Sequence, residues 1–589
     1  MSENPNAWYT RELLAVNTEI QSLSRKINRL SMLRISSFLL AVLFVVIFAN
    51  STQSYYIAAA ITLFALFIYF TIRHIQSSSK LIRERTMARL IRHELGLERS
   101  QDGIYSDGKA FASQLPFADD LDLFGQHSLY QRINRCGTPV GEGLLAHGLI
   151  NSLREPESIK MLQSSVKELS GFPEFRLQMQ THLLIAASEK FPDIERMRNT
   201  IPIRLFKGKI YTWMAFGLPA MVWLSLLAGL LGFGYTAFSI LSVMALMLVF
   251  AQTRKVMILG SELDGLRKKF STWAAVLQQF GQLELKSTML VEMQQEANLA
   301  AARFCELATI SEQFDRRANL LLYVLSNLFL AFDIHLALRY EKWREQNYLQ
   351  IPHWITTLGR FEMLLSLSAF AWNHPDYVYP EISETPQLKA KALGHPLLPE
   401  EQCVKNDVHL SIDPRVTLIT GSNMSGKSTW LRTLGVNVLL AQFGAPVMAR
   451  SFSWKPMQLL SSLRQSDSLA ENTSLFMNEL KQLKSILEKA ESTFSLILLD
   501  EILRGTNSDD KYTGSYELLK RLSKVNSLTV MASHDLKLSS LEQELEGSLI
   551  NYCFESKIEK GKLLFDYTIR PGVAVNRNAT WLMKDMGII

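Results

Sequence analysis

The chain has 589 residues, 48% hydrophobic and 20% charged, which is enough length for three or four folded units. Its net charge of +6 does not by itself indicate that the protein binds nucleic acid. Much of the excess positive charge lies beside apolar segments, where anionic lipid headgroups are an equally good binding partner. The four cysteines lack the paired spacing of a zinc site or a disulfide scaffold, and their scatter indicates a reducing compartment: Cys136, Cys305, Cys403 and Cys553.

The first feature along the chain is a pair of apolar runs. Residues 1–31 form an N-terminal segment with a predicted helix over 17–29, and residues 35–72 carry no charge. The runs at 35–49 and 55–72 flank a polar turn at 50–54. Helices of this length span roughly 22–27 Å, close to the bilayer core of about 30 Å. The sequence therefore predicts a transmembrane hairpin over residues 32–72.

A second charge-free stretch, residues 210–253, repeats this arrangement, with runs at 211–231 and 235–251 around a Gly-Phe-Gly turn. Two buried hairpins in a soluble protein are the alternative, but charge placement argues against it. Positive charge on the outer flanks and none in the turns is typical of hairpins with both ends in the cytoplasm. We expect a multi-pass membrane protein with four spans and cytoplasmic termini, in the inner membrane if the source is bacterial. The flanking basic residues are Arg25, Lys26, Arg29, Arg34, Arg73, Lys80, Arg83, Arg85, Arg204, Lys207, Lys209, Arg254 and Lys255.

The remaining regions before residue 386 are predicted to be mainly helical. Residues 73–209 form the first part of a helical core and residues 254–385 the second. Within 261–280, apolar residues such as Leu263, Phe270 and Trp273 recur at helical spacing, which is typical of internal packing. The apolar run 320–332 is short and ends at Asp333, so we predict a core helix rather than a fifth span.

Residues 417–429 fit the pattern of a phosphate-binding P-loop. The loop follows an apolar strand at 416–420 and precedes a predicted helix at 430–440. Its glycines let backbone N–H groups surround phosphate oxygens, Lys427 reaches the β- and γ-phosphates, and the Ser428 hydroxyl is a ligand for Mg²⁺. The predicted nucleotide-binding residues are Gly421, Ser422, Asn423, Met424, Ser425, Gly426, Lys427, Ser428 and Thr429.

Two further apolar runs end in polar residues that suit phosphoryl transfer. The run at 495–499 precedes Asp500 and Glu501, the form of a Walker B strand. Asp500 is predicted to hold Mg²⁺ together with Ser428, and Glu501 to orient or activate water. The run at 527–533 precedes His534, a predicted sensor of the γ-phosphate. The chain is therefore predicted to bind and hydrolyse a nucleoside triphosphate with Mg²⁺, with Lys427, Glu501 and His534 as catalytic residues.

The amino-acid sequences of these motifs resemble those of the MutS family of DNA mismatch repair ATPases. Similar segments occur in the family's order at 420–432, 441–447, 470–479, 500–506 and 532–534, with weaker similarity to its helical core at 123–145 and 361–370. The resemblance implies an α/β P-loop NTPase domain of the ABC/MutS type over 386–589, with C-terminal dimerisation helices. It also implies that the mainly α-helical, MutS-like core carries the two transmembrane hairpins. It further implies a homodimer through the ATPase domains, with Ser474 reaching the γ-phosphate of the other chain.

The chain departs from the family pattern at several positions. Ser422 and Ser425 stand where the family usually has proline and glycine, and Asn472-Thr473 replace its Gly-Arg. Cys403 lies where many relatives carry an aromatic residue that stacks on adenine. The N-terminal region has no counterpart of the mismatch-reading domain with its Phe-x-Glu wedge, and a membrane hairpin falls where the DNA-handling relatives carry a clamp.

The sequence is compatible with three functions. The first is a membrane-anchored, MutS-like dimeric ATPase whose client is DNA near the membrane or a membrane partner. The second is a nucleotide-dependent scaffold or regulator of a membrane protein that does not bind DNA. The third is a transporter, but the Leu-Ser-Gly-Gly-Gln signature is missing and no span carries a charge, so no transported solute is expected. Membrane lipid is a partner in each case.

Overall fold

The computed structural model describes residues 4–51, 53–97, 103–114, 117–151, 155–187, 204–263, 267–315, 320–422, 424–463, 475–503, 506–559 and 562–575. Helices dominate the chain up to residue 373, and two β-sheets with flanking helices follow. The fold is therefore mostly helical, with mixed sheets in the C-terminal region.

The first two helices, α1 (Pro5–Ser51) and α2 (Ser54–Glu94), form one long antiparallel hairpin. The Asn4 side chain accepts a hydrogen bond from the Asn6 backbone N–H, and Pro5 occupies the first helical position, so the start of α1 is well defined. The helix predicted at 17–29 is part of α1. The base of the hairpin packs into the described part of the protein through a cluster that includes Trp8, Ile91 and Leu177.

Thirteen further helices among the described residues form the helical core and a second hairpin. They are α3 (Phe117–Asp120), α4 (Leu129–Ile133), α5 (Pro139–Ile150), α6 (Pro156–Ser170), α7 (Pro173–Ala187), α8 (Lys209–Ala228), α9 (Thr236–Phe250), α10 (Thr253–Leu263), α11 (Arg267–Gly281), α12 (Thr288–Asp315), α13 (Leu320–Leu330), α14 (Phe332–Asn347) and α15 (Ile351–Asn373).

The long helix α15 lies at the centre of the helical core. It is buried along most of its length and packs against α5, α6, α7 and α12. Phe270 and Trp273, from the predicted apolar stripe, are buried in the same cluster, where they contact Phe304. The stripe therefore serves internal packing, as predicted.

The second hairpin consists of α8 and α9, joined by a single π turn, Gly229–Phe233. Gly232 and Gly234 have φ of 95° and 83°, the left-handed region that glycine tolerates, which explains the Gly-Phe-Gly turn. The helix α13 packs against both α8 and α9, so the apolar run at 320–332 lies against this hairpin.

Several helices are long and apolar enough to cross a membrane. In the part of the chain that the structure describes, three qualify singly: Pro5–Ser51, Ser54–Glu94 and Lys209–Phe233. The pair Thr236–Phe250 and Thr253–Leu263, bent by 47°, makes a fourth if it is counted as one span. The first hairpin exposes a long series of large apolar side chains, a surface of the kind that marks membrane contact.

The C-terminal region contains ten strands and four helices among its described residues. The strands are β1 (Glu381–Ile382), β2 (Gln387–Leu393), β3 (Asn406–Ser411), β4 (Val416–Gly421), β5 (Ser451–Trp454), β6 (Gln458–Ser462), β7 (Ser495–Asp500), β8 (Ser527–Ser533), β9 (Leu549–Glu559) and β10 (Lys562–Pro571). The helices are α16 (Lys427–Gln442), α17 (Leu475–Ser492), α18 (Ser508–Leu522) and α19 (Leu541–Glu544).

The larger sheet has the strand order β10-β9-β4-β8-β7-β6, parallel except for the β10–β9 pair. The strands β4, β7 and β8 are buried at every position, because both faces of the sheet are covered. They are the three apolar runs that the sequence predicts as strands. The smaller sheet has the order β1-β5-β2-β3.

The helical core and the larger sheet share one hydrophobic cluster. Phe443, at the end of α16, presses on α5 at Gly148, where a Cβ atom would overlap its ring. The opposite face of the sheet is covered by α17 and α18 through Ile486 and Leu519, among other residues. The ATPase-like region therefore lies directly on the helical core.

Candidate active site

The P-loop connects the central strand β4 to the helix α16. Gly426 has φ of 103°, and Met424 has φ of 66° in the same turn. The Lys427 side chain is buried, and its Nζ donates to the carbonyl oxygens of Gly421 at 2.9 Å and Ser422 at 3.0 Å. Ser428 and Thr429 are exposed in the first turn of α16, where helix N–H groups favour an anion.

The Walker B strand β7 ends beside the P-loop because its neighbours run parallel to it. Asp500 pairs in register with Ala532 of β8, and Ser533 of β8 pairs with Thr420 of β4. The carboxyl ends of these three strands therefore meet at one edge of the sheet. This register places Asp500, Glu501 and His534 at the same edge of the sheet.

Three of the predicted site residues contact one another at this edge. The His534 Nε2 atom lies 3.4 Å from Lys427 Nζ and also contacts a Glu501 carboxylate oxygen. Glu501 has φ of 47°, and its backbone N–H donates to the Ala532 carbonyl at 3.1 Å. The left-handed backbone turns the Glu501 side chain across the strand ends toward β8, so the carboxylate reaches His534.

Asp500 is the predicted metal ligand, and its surroundings fit that role. The side chain is 7% exposed, and its Oδ1 atom has no hydrogen-bond partner among the described residues. A buried carboxylate oxygen without a partner is costly unless a cation or water satisfies it. The donor set of one carboxylate and one hydroxyl, Ser428, is typical of Mg²⁺ bound together with nucleotide phosphates.

The two serines that depart from the family's loop also point to a ligand. The Oγ atoms of Ser422 and Ser425 are buried and have no hydrogen-bond partner in the described part of the chain. Met424, between them, is 80% exposed. Small hydroxyl side chains keep the loop narrow and add donors that can point at phosphate oxygens.

Some predicted site residues lie outside the described residues. These are Asn423 of the P-loop and Ser474, the residue expected to act in trans, together with Asn472-Thr473. The dimerisation segment predicted near the C-terminus, residues 576–589, lies outside them as well.

Comparison with known proteins agrees with this geometry. Residues 417–580 match the family model for MutS domain V. The DNA mismatch repair protein MutS of Acetivibrio thermocellus is 32% identical over 44% of this chain and 30% of that protein. The MutS of Chlorobium phaeovibrioides is 38% identical over 32% of this chain and 22% of that protein. The mouse MutS protein homolog 4 is 33% identical over 38% of this chain and 24% of that protein.

Residues 417–580 therefore carry a domain of the MutS family. Family membership rests on the C-terminal region that contains the P-loop, the Walker B strand and His534. The chain matches less than a third of the length of these curated relatives. Proteins of the MutS family are ATPases, and the P-loop geometry fits that chemistry.

A pocket of about 330 Å³ adjoins the P-loop of this MutS-family domain and was not predicted as a unit. Cys403, the residue at the position of the expected aromatic, lies in its wall, as do Gly426 and Thr429. Phe554 and Tyr567 supply aromatic surface instead. The pocket therefore has the position and the lining expected for the base of a nucleotide.

Tyr567 reaches the pocket because the β9–β10 pairing is irregular. The register shifts between Phe565 and Ile569, and Tyr567 itself has φ of 52°. Asn406 fixes the irregularity, because its side chain donates to the Tyr567 carbonyl at 3.0 Å and accepts from the Ile569 N–H at 2.9 Å. A β-bulge commonly redirects a side chain in this way. No local sequence pattern marks Tyr567, so its role was missed.

His395 closes the pocket on the side of the smaller sheet. Burial, with a contribution from nearby Arg432, lowers the pKa of His395 to about 4, so the imidazole is neutral at physiological pH. Its Nδ1 atom accepts the Leu397 N–H at 3.2 Å. A neutral, oriented imidazole gives the pocket wall a polar surface without adding charge.

Two carboxylates connect the site to the helical core. Arg432 of α16 forms an ion pair with Asp122 at 2.9 Å. Asp120, which is 2% exposed, accepts from the Ser461 hydroxyl at 2.6 Å and the Leu463 N–H at 3.1 Å. Both carboxylates lie in or just after the short helix α3, so this segment is held by the P-loop helix and by the edge strand β6.

Proposed function

We propose that this protein is a membrane-anchored MutS-family ATPase in which binding and hydrolysis of ATP move the attached helical core. The observation that carries the proposal is the convergence of Lys427, Asp500, Glu501 and His534 at one edge of a parallel sheet. Phosphoryl transfer requires mainly positioning and charge neutralisation, and this edge offers both.

Each side chain has a defined task in the proposed reaction. Lys427 leaves its loop carbonyls to bind the β- and γ-phosphates of ATP. Ser428 and Asp500 would hold Mg²⁺, which neutralises the charge on the phosphate oxygens. Glu501 orients the attacking water, and His534, already in contact with Glu501, donates to the γ-phosphate. The base lies in the pocket between Cys403 and Tyr567.

The proposed working unit is a homodimer. By its similarity to the family, each chain supplies Ser474 to the γ-phosphate bound by the other chain. Closure of the two ATPase domains then pulls on α3 through the Arg432–Asp122 pair and the Asp120 hydrogen bonds. The two hairpins, as four spans with both ends in the cytoplasm, hold this unit at the membrane.

The test uses the purified full-length protein reconstituted in lipid. Glu501→Ala should keep ATP binding, lower the hydrolysis rate by at least about 100-fold and trap the closed dimer. Lys427→Ala should lose nucleotide affinity. Glu517→Ala, which removes an exposed carboxylate from the neighbouring helix α18, is the matched control and should leave both properties unchanged. Normal turnover by Glu501→Ala, or unchanged ATP binding by Lys427→Ala, would contradict the proposal.

A second candidate is a nucleotide-dependent regulator of a membrane protein that does not bind DNA. The limited match favours it, because less than a third of the mismatch repair relatives is represented in this chain. ATPase rates with branched, mismatched and plain duplex DNA distinguish the two. Strong stimulation by one DNA form, lost at higher salt, supports a DNA client. A rate indifferent to all three supports the regulator.

A further inference from the structure

The helix α14 runs beside α8, from the start of that helix into its apolar part. Just before α8 begins, the Phe206 N–H donates to the Glu341 carboxylate at 3.2 Å. Six residues earlier in α14, the His335 Nε2 atom lies 2.8 Å from the Ala215 carbonyl oxygen. Ala215 is about 9 Å beyond Lys209 along the axis of α8. The N-terminal half of α14 therefore lies beside the charge-free stretch 210–253.

The preceding helix α13 reaches further along the same hairpin. The Tyr323 ring stacks on Phe250 at the C-terminal end of α9, with ring centroids 5.9 Å apart. Six residues later, the Phe329 carbonyl accepts the Trp223 indole N–H at 3.1 Å, and the two rings are in contact. Trp223 is about 21 Å beyond Lys209 along α8. The helix α13 therefore rises toward the Gly-Phe-Gly turn of the hairpin, and α14 returns from there.

A single residue, Ala331, separates α13 from α14, and the polar groups at this turn lie inside the protein. Ala331 has φ of 43°, which ends one helix and redirects the chain into the next. The Asn327 side chain accepts the Asp333 N–H at 2.9 Å, and the Tyr323 hydroxyl donates to the Asp333 carboxylate at 3.1 Å. Asn327 and Asp333 are both buried. A turn within a bilayer requires its polar groups to be satisfied by protein in this way.

The charge pattern around α13 repeats the pattern of the two hairpins. Arg317 and Arg339 bound a stretch of 21 residues, 318–338, in which the one formally charged side chain is the buried Asp333. Among the described residues of α13, the exposed side chains are apolar, namely Leu325 and Leu330. Basic residues at both ends of an apolar stretch are typical of a segment that enters the membrane and leaves on the same side.

We propose that α13 and the first half of α14 form a re-entrant hairpin that enters the bilayer beside α8 and α9 and turns at Ala331. Lipid acyl chains cover Leu325 and Leu330. This inference rests on the proposed role of the second hairpin as two membrane spans. The 11 residues of α13 extend about 17 Å, whereas the bilayer core is about 30 Å thick, so α13 enters without crossing. Both ends remain on the side of the ATPase domain, and the number of spans stays at four.

The base of this re-entrant hairpin is joined directly to the centre of the helical core. Arg344, near the end of α14, forms an ion pair with Glu262 of α10 at 2.8 Å. One short turn, Tyr348–Gln350, then leads into α15, the helix that packs against α5, α6, α7 and α12. The lipid-facing segment and the central helix of the core are therefore consecutive in the chain.

The experiment measures the membrane depth of a nitroxide spin label by power-saturation EPR on the full-length protein in phospholipid nanodiscs. Single cysteines replace three exposed leucines: Leu330 at the tip, Leu224 beside Trp223 at the same depth, and Leu349 beyond α14. The parent protein carries Cys305→Ser and Cys403→Ser, which leaves the buried Cys136 and Cys553.

Collisions of the label with oxygen, which concentrates among acyl chains, are compared with collisions with a nickel chelate, which stays in water. We expect the oxygen-to-nickel ratio of Leu330→Cys to lie within about twofold of that of Leu224→Cys, because both labels lie among acyl chains. Both ratios should exceed that of Leu349→Cys by at least about fivefold, because a polar chelate is excluded from hydrocarbon.

Three outcomes would overturn the proposal, and they differ in what else they remove. If the label at 330 meets the chelate as often as the label at 349 while the label at 224 is in lipid, the re-entrant hairpin alone is excluded. If the labels at 224 and 330 both meet the chelate, the second hairpin is not a span either. A label at 330 that meets neither reagent means that protein, not lipid, covers the tip. If Leu330→Cys melts below the parent, Leu325→Cys on the same helix replaces it with the same expected result.

Discussion

The two apolar hairpins differ in how they are attached to the rest of the protein. In the first hairpin, only 11% and 6% of the most apolar 18-residue stretches of α1 and α2 are buried by the described part of the protein. The buried cluster of this hairpin lies at its base. In the second hairpin, 33% of the most apolar stretch within Lys209–Phe233 is buried. The neighbours of α8 there are α9, α13 and α14. The first hairpin therefore packs on the protein mainly at its base, whereas the second is continuous with the helical core.

Truncation of a buried leucine should show the largest difference between the hairpins. Leu218 of α8 is 2% exposed, whereas Leu39 of α1 is 60% exposed. We expect Leu218→Ala to lower the free energy of unfolding by about 3 kcal/mol, because it leaves a cavity in a packed cluster. Leu39→Ala, at a position outside the packed cluster, should have little effect. Thermal unfolding of both variants in one detergent is the measurement, and equal shifts would remove the distinction.

A hydrogen bond within the second hairpin should give an intermediate effect. The Trp223 indole donates to the Phe329 carbonyl at 3.1 Å, which joins α8 to the end of α13. Trp223→Phe keeps an aromatic ring and removes the donor, so stability should fall by about 1 kcal/mol. Trp213→Phe is the control on the same helix, since the Trp213 side chain is half exposed and its indole forms no hydrogen bond with the described residues. If both substitutions lower the unfolding midpoint equally, α13 is not held by this bond.

The smallest effect is expected for the ion pair in the first hairpin. Lys80 of α2 lies 2.7 Å from Glu19 of α1, and both side chains are exposed. Exposed pairs of this kind contribute about 0.5 kcal/mol and are screened by salt. A double-mutant cycle with Lys80→Ala and Glu19→Ala should measure that coupling at low salt and find none at 1 M salt. A coupling of several kcal/mol would contradict the expectation that this pair is a weak, exposed contact.

The sequence predicted those features that depend on local patterns. The P-loop, the Walker B strand and His534 follow from spacing and from apolar runs, and the structure brings Lys427, Glu501 and His534 together. The hairpins follow from charge-free runs. The predicted boundary between the helix at 17–29 and the first span is not a helix end, because no glycine or proline interrupts α1 there.

Features that depend on distant segments were not predicted. Tyr567 approaches Gly426 only through the bulge in the β9–β10 pairing, 141 residues further along the chain. The elements against which the helix α13 packs could not be predicted from the sequence either. Its apolar side chains suit a soluble core or a membrane hairpin, and only the structure shows Phe329 beside Trp223. Composition gives the polarity of a surface but not the identity of its neighbour.

The close approach of Phe443 to Gly148 has a mechanical consequence. Because the Phe443 ring lies directly against the Gly148 backbone, the C-terminal end of α16 has little room to slide along α5, and a tilt of α16 is expected to turn about this point. Arg432 lies about 16 Å from Phe443 along the helix, and Lys427 about 24 Å. A small rotation of α16 about this contact therefore displaces the phosphate-binding end of the helix most. The displacement at Arg432, and at Asp122 paired with it, is about two thirds as large.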